Sequence, residues 1–100
     1  MMSGAPEAIT VVARWQMPEE CVAEVLGLVA RLREPSLAEP GCLGYEVYRS
    51  VNAAGELLLL ERYRDEAAIE AHRGSSHFRE LVIERIIPML TRRRVELLRV

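Results

Sequence analysis

Residues 57–78 read LLLLERYRDEAAIEAHRGSSHF, and the change of period inside this stretch decides the fold. Four consecutive leucines open it, so a strand over Leu57–Tyr63 carries Leu57 and Leu59 on one face and Leu58 and Leu60 on the other. At Asp65 the period changes. Asp is a favoured N-cap, and Ala68, Ile69 and His72 recur at helical spacing up to about Arg73, where Gly74 terminates the helix. Ser75 or Ser76 then caps a further helix with Phe78, Leu81, Val82 and Ile86 on its apolar side. Pro88 discourages Ile87 from staying helical, which sets its end.

Working outward, Ala8–Met17 alternates as a strand, with Ile9, Val11, Ala13, Trp15 and Met17 opposite Thr10, Arg14 and Gln16. Pro18 suits the first position of a helix whose start is favoured by Glu19 and Glu20. Val22, Val25, Leu26, Val29 and Leu32 form its apolar stripe, and Pro35 is expected to stop it. Ser36–Glu39 has a Ser-x-x-Glu capping pattern without an apolar run behind it, which predicts a single turn. Pro40-Gly41 reverses the chain into a strand over Cys42–Ser50, with Leu43, Tyr45 and Val47 on one face. Asn52–Gly55 supplies a hairpin turn, and Arg93–Val100 is the last strand. Residues 1–7 are expected to be a flexible tail and residues 8–100 a single domain.

The order β-α-β-β-α(α)-β predicts an α+β, ferredoxin-like split βαβ fold: an antiparallel four-stranded sheet with the helices on one face. The other face should then be polar. Instead it carries leucine from the third strand and apolar residues of the last, where Val95 and Leu97 oppose Leu98 and Val100. Soluble monomers avoid such a patch. A homodimer with its sheets packed face to face is the expected solution, leaving a pocket between each sheet and its own helices.

Composition excludes several functions. The chain has 100 residues, half of them hydrophobic and 28% charged, with a net charge of −2, as in ordinary globular domains. All its basic residues are arginine, which rules out a lysine Schiff base. Arg92-Arg93-Arg94 is the one basic cluster and is too small for a nucleic-acid site. No apolar run is long enough to span a membrane, and Met1–Ala8 lacks the features of a signal peptide. A cytoplasmic protein is expected. Cys21 and Cys42 are not in CxxC spacing, and reduced packing cysteines are the expectation. With one Asp and two His, a metal site would need scattered glutamates, so no metal is expected.

The stretches AEPGCLGYEVYRS, LLLERYRDEAAIEAH and SSHF resemble the antibiotic biosynthesis monooxygenase domain, a family of dimeric α/β-barrels that includes quinol monooxygenases. The resemblance runs from about Ile9 to Val100. It implies the same fold, and for many members oxidation of dihydroxyaromatic or polyketide substrates by O2 without a cofactor. Other members are isomerases of small signalling molecules, haem-degrading enzymes, or proteins without an established reaction. The haem-degrading branch carries Asn, Trp and a haem-ligating His where this chain has Ala13, Tyr63 and Val82, so haem degradation is not expected.

Cofactor-free oxygenation needs an electron-rich phenol held as its anion. A phenol's pKa lies near 10, so ionisation at pH 7 needs about 4 kcal/mol, within reach of one or two charge-assisted hydrogen bonds in a dry pocket. Histidine is the natural base. His72, on the inward face with Ala68 and Ile69, is the favoured candidate against a bland core role. His77 begins the next helix and, across a helix break, is not expected to act as a same-face pair with it. Tyr63, at the family's aromatic position, is the second catalytic candidate, weighed against a packed ring with its hydroxyl at the surface. Trp15, His77, Arg14 and Glu61 are the substrate-binding candidates. Glu61 has a competing structural role, ion-paired with Arg49; Trp15 is more readily read as core than as cavity wall. The expectation is a cofactor-independent, homodimeric oxygenase of a small quinol or polyketide-like phenol. A non-catalytic ligand-binding or stress-response dimer, and an isomerase of a small hydroxy-ketone, are its alternatives.

Overall fold

The structure is a computed structural model and describes residues 8–99; residues 1–7, where the flexible tail is expected, and Val100 lie outside the described residues. Four strands, β1 (Ile9–Gln16), β2 (Cys42–Arg49), β3 (Glu56–Tyr63) and β4 (Arg92–Arg99), form one antiparallel sheet in the order β2-β3-β1-β4. Helix α1 (Val22–Leu37), helix α2 (Glu66–Arg73) and a π-helix (Phe78–Ile86) are the longer helical segments between the strands. This is the α+β, ferredoxin-like arrangement that the alternation of periods predicts.

Residues opposite each other in an antiparallel pair share a face. Trp15 pairs with Leu57 and Arg93, Ala13 with Leu59 and Val95, Val11 with Glu61 and Leu97, and Tyr45 with Glu61. These residues make the covered face. Leu57, Leu59 and Tyr45 are buried there with Val25, Val29 and Leu32 of α1 and Val82 and Ile86 of the π-helix, and Tyr63 with Ile9, Val11, Ala68 and Ile69. The open face carries Val12, Leu58 and Leu60 at its centre, with Tyr48 and Leu98 half exposed. Both leucine faces read from residues 57–60 are present.

The helices depart from the sequence expectation at three points. Helix α1 does not stop at Pro35 but runs through it to Leu37. Proline there forfeits only one hydrogen bond in the last turn, and Ser36 Oγ donates back to Leu32 O at 2.8 Å. Ser36–Glu39 is therefore not a separate capped turn. Pro18 flanks a 3-10 turn, Glu19–Cys21, rather than opening α1. The helix after α2 is wound wider than expected: the Ile87 N–H reaches Val82 O, five residues back, and a 3-10 turn, Ile87–Met89, follows. Its spacing of Phe78, Val82 and Ile86 suits an α- or a π-helix, so the winding is not legible in the pattern.

Candidate functional site

Helix α2 starts as its sequence dictates: Asp65 Oδ1 accepts from the Ala68 N–H at 2.9 Å. Its buried face is Ala68, Ile69 and His72, which aims His72 at the sheet. Ser75 ends α2 and starts the next helix with one hydroxyl. Its Oγ donates to His72 O at 2.6 Å and accepts from the Phe78 N–H at 3.2 Å. This tight break turns the chain so that His77 comes back beside His72, their ring centroids 5.9 Å apart.

The third participant comes from the turn between α1 and β2. Gly41 lies so close to α2 that a Cβ there would collide with Ala68 Cβ, and the Arg64 N–H donates to Gly41 O at 2.8 Å. Only glycine permits this approach. It lays Glu39 against both histidines. His72 Nδ1 lies 2.9 Å and His77 Nε2 2.5 Å from the same atom, Glu39 Oε2. Both contacts suit ring N–H groups donating to a carboxylate oxygen. Donation from Nδ1 leaves Nε2 of a neutral His72 as a lone pair. That atom is buried without a hydrogen-bond partner, 3.8 Å from Glu61 Oε1.

His72 is enclosed by rings: Phe78 edge-on at 5.2 Å, Tyr63 at 5.4 Å and Tyr45 at 6.0 Å between centroids. Beside it, the Tyr63 hydroxyl donates to Glu61 Oε1 at 2.6 Å. Burial raises the Glu61 carboxyl above the usual carboxylate range, against the Tyr63 hydrogen bond and the nearby His72 and Arg73. Burial, then the adjacent Glu61, pushes the Tyr63 phenol well up, and burial does the same to Tyr45. Both phenols stay protonated donors.

These groups line one cleft between sheet and helices, with Ala13, Trp15, Phe78 and Val82 as walls and Arg73 and Arg93 as exposed members. It encloses about 410 Å³ including its mouth, but only about 30 Å³ admits the centre of a water molecule. That is room for about two waters, so a ring enters only by displacing lining side chains. The Trp15 indole Nε1 is buried without a partner as well.

Of the residues singled out from the sequence, His72, Tyr63, Glu61, Trp15 and His77 are thus brought together. Arg14 is not: it lies on the open face, where it lines surface grooves with Tyr48 and Arg49 and with Gln16 and Arg92. Alternation in β1 puts it opposite Trp15. The expected Glu61–Arg49 ion pair is replaced by the Tyr63 hydroxyl, because Arg49 stands opposite Leu57, not Glu61. The Tyr63 hydroxyl is buried rather than at the surface. The two histidines do converge, contrary to the expectation drawn from the helix break between them.

Glu39 escapes the sequence reading altogether, because Ser-x-x-Glu mimics a cap; its partners are 33 and 38 residues away. With the histidines it makes a His2Glu group whose ligand atoms lie within 4.8 Å of one another. The expectation that only scattered glutamates are available for a cation needs that correction. The distances are nevertheless those of proton bridges. Two ligands bound tetrahedrally at about 2.0–2.1 Å from one zinc stand about 3.3 Å apart, wider than either contact to Glu39.

Residues 8–82 match the signature of the family described as antibiotic biosynthesis monooxygenase. The chain is 37% identical over 70 residues to a Mycobacterium tuberculosis protein named "Putative monooxygenase Rv0793", covering 70% of this chain and 68% of that one. The solved structure of Rv0793 superposes with a TM-score of 0.84 at 34% identity, over 91% of this chain and 92% of that one. A conserved protein from Methanosarcina mazei gives 0.87 at 33% identity, over 93% and 92%. Fold and signature agree on an oxygenase class of ferredoxin-like proteins. The chain belongs to the antibiotic biosynthesis monooxygenase family.

Proposed function

We propose that this protein is a cofactor-independent monooxygenase that oxidises a small aromatic quinol or polyketide-type phenol with O2. The observation that carries this reading is the free Nε2 of His72 in a buried aromatic cleft, backed through Nδ1 by a carboxylate. In this reading the substrate O–H bond breaks and its proton moves to His72 Nε2. The phenolate passes an electron to O2, the two radicals combine at ring carbon, and loss of water leaves one oxygen atom in the product. For a benzene-1,4-diol that product is the ring-hydroxylated quinone. The second oxygen atom leaves as water with two hydrogens of the substrate, so the substrate supplies every electron. Tyr63 donates toward substrate oxygen or holds Glu61 in place, Trp15 walls the ring, and Glu61, with its raised pKa, lies beside the reacting oxygen.

The working form in this proposal is a homodimer joined through the open sheet face, since Tyr48 and Leu98 are otherwise left to water and Leu58 and Leu60 are only partly covered. Among the described residues no helix is long and apolar enough to cross a membrane. Both cysteines are unpaired, which fits the reducing cytoplasm. An oxygen electrode with a panel of quinols tests the reaction. Uptake by wild type that falls in His72→Ala supports it; no uptake with any quinol points to the binder or isomerase.

A further inference from the structure

We propose that Glu39 and His77 are positioning residues for the base: Glu39 fixes His72 in the tautomer with the proton on Nδ1, and His77 clamps Glu39 in place. This assigns His77 a role behind the base instead of in contact with substrate. It deepens the oxygenase reading, but its structural half stands without it.

The proposal rests on one shared atom. His72 Nδ1 and His77 Nε2 both contact Glu39 Oε2, at 2.9 and 2.5 Å. Exposure rises outward along the chain of contacts: the side chains of His72, Glu39 and His77 are 3%, 14% and 19% exposed. Only His72 lines the cleft; Glu39 and His77 do not. An imidazole whose Nδ1–H is held by a carboxylate presents Nε2 as acceptor and gains stabilisation once it takes a proton there. Without the clamp, Glu39 is a side chain with three rotatable bonds at the end of a turn, and the tautomer of His72 is left to chance. Glu61 and Tyr63 on β3, Tyr45 on β2, and Arg73 also surround His72. None of them hydrogen-bonds its Nδ1, whose partner is Glu39, so the tautomer depends on Glu39. The turn AEPGC and the SSHF stretch, far apart in sequence, meet at this oxygen.

The test is long-range 1H–15N NMR of 15N-histidine-labelled protein at mildly alkaline pH, without substrate. Wild type should show His72 protonated at Nδ1. Glu39→Ala, with its fold checked by amide dispersion, should show a mixture of tautomers. His77→Ala should move partway, and His77→Gln, which keeps an N–H donor for Glu39, should restore the wild-type form. Wild-type His72 protonated at Nε2, or a tautomer unchanged in Glu39→Ala, overturns the proposal whatever the reaction proves to be. Where a turned-over quinol is in hand, Glu39→Ala should lower kcat about 100-fold, the usual scale for a misplaced group, with KM little changed. An effect of His77→Ala on KM alone returns His77 to substrate binding and overturns its clamping role. Loss of oxygen uptake in every protein, with the tautomers as expected, sinks the oxygenase reading and leaves this one intact.

Discussion

The two faces of the sheet carry opposite anomalies. On the covered face the strands bury an ionisable carboxyl, Glu61, and press His72 against it; on the open face they leave Tyr48 50% and Leu98 54% exposed. Burying a polar group costs free energy unless it is fully paired, and His72 Nε2, Trp15 Nε1 and Glu39 Oε1 are not paired. Exposing apolar side chains costs free energy as well, at roughly 25 cal/mol per Å². Neither choice helps an isolated chain to fold. On the function proposed above, each is completed from outside, the covered face by a small polar aromatic ligand and the open face by a second copy.

The sharpest way to break that comparison is at His72. Removing a general base costs about 10²–10⁴-fold in rate, so His72→Ala should lower quinol oxidation by at least about 100-fold in steady-state oxygen uptake. Rates within about threefold of wild type would leave the polar groups of the covered face without a catalytic reason. Next in size is the pair Leu59 and Leu60, adjacent in β3 but on opposite faces. Leu59 is fully buried, and Leu59→Ala should cost about 2–5 kcal/mol in urea unfolding whatever the protein concentration. Leu60→Ala should cost less, by an amount that grows as concentration rises through the dimerisation range. Equal, concentration-independent losses would show that the two faces do not differ in kind.

How much of this is legible in the sequence follows from the range over which each signal acts. The strands and α2 are readable because their cues are local: alternation at Ile9–Met17, the Asp65 cap, and spacing that turns His72 inward. The four leucines at 57–60 even give away the anomaly of the open face. The winding of Phe78–Ile86 is hidden because its buried residues suit either helix. The passage of α1 through Pro35 is hidden because proline's cost falls sharply near a helix end. Glu39 is the instructive miss. Its place depends on Gly41 packing against Ala68 and on a break at Ser75 that swings His77 back, contacts between segments distant in the chain. A locally convincing Ser-x-x-Glu pattern offers a simpler explanation.

The open face itself is tested by charge. Leu60→Arg puts an unpaired guanidinium at the centre of the proposed interface, and such a charge costs about 3–5 kcal/mol when a partner surface buries it. Sedimentation should find wild type dimeric at micromolar concentration and the variant monomeric, with a dissociation constant raised at least about 100-fold. In the monomer the arginine faces water, so secondary structure should be retained. A wild-type monomer, or a variant that still dimerises normally, sends the search for the partner of this face elsewhere.

The smallest expected effect is also the most specific to the covered face. Burial raises the Glu61 pKa in the folded protein above its unfolded value. The folded state therefore holds the Glu61 proton to higher pH than the unfolded chain does, and stability falls as pH rises through the window between the two values. Below the unfolded pKa of about 4.5 the group is protonated in both states and imposes no penalty. Glu61→Gln keeps an acceptor for the Tyr63 hydroxyl and removes the charge. Its melting temperature should exceed that of wild type at pH 7–8, and the two should converge as pH falls below about 4.5. If the variant is instead less stable at pH 8 and the gap closes in acid, the folded protein prefers the carboxylate. Glu61 would then be an anion held by its neighbours, and the raised carboxyl that the cleft offers a substrate oxygen would have to be given up.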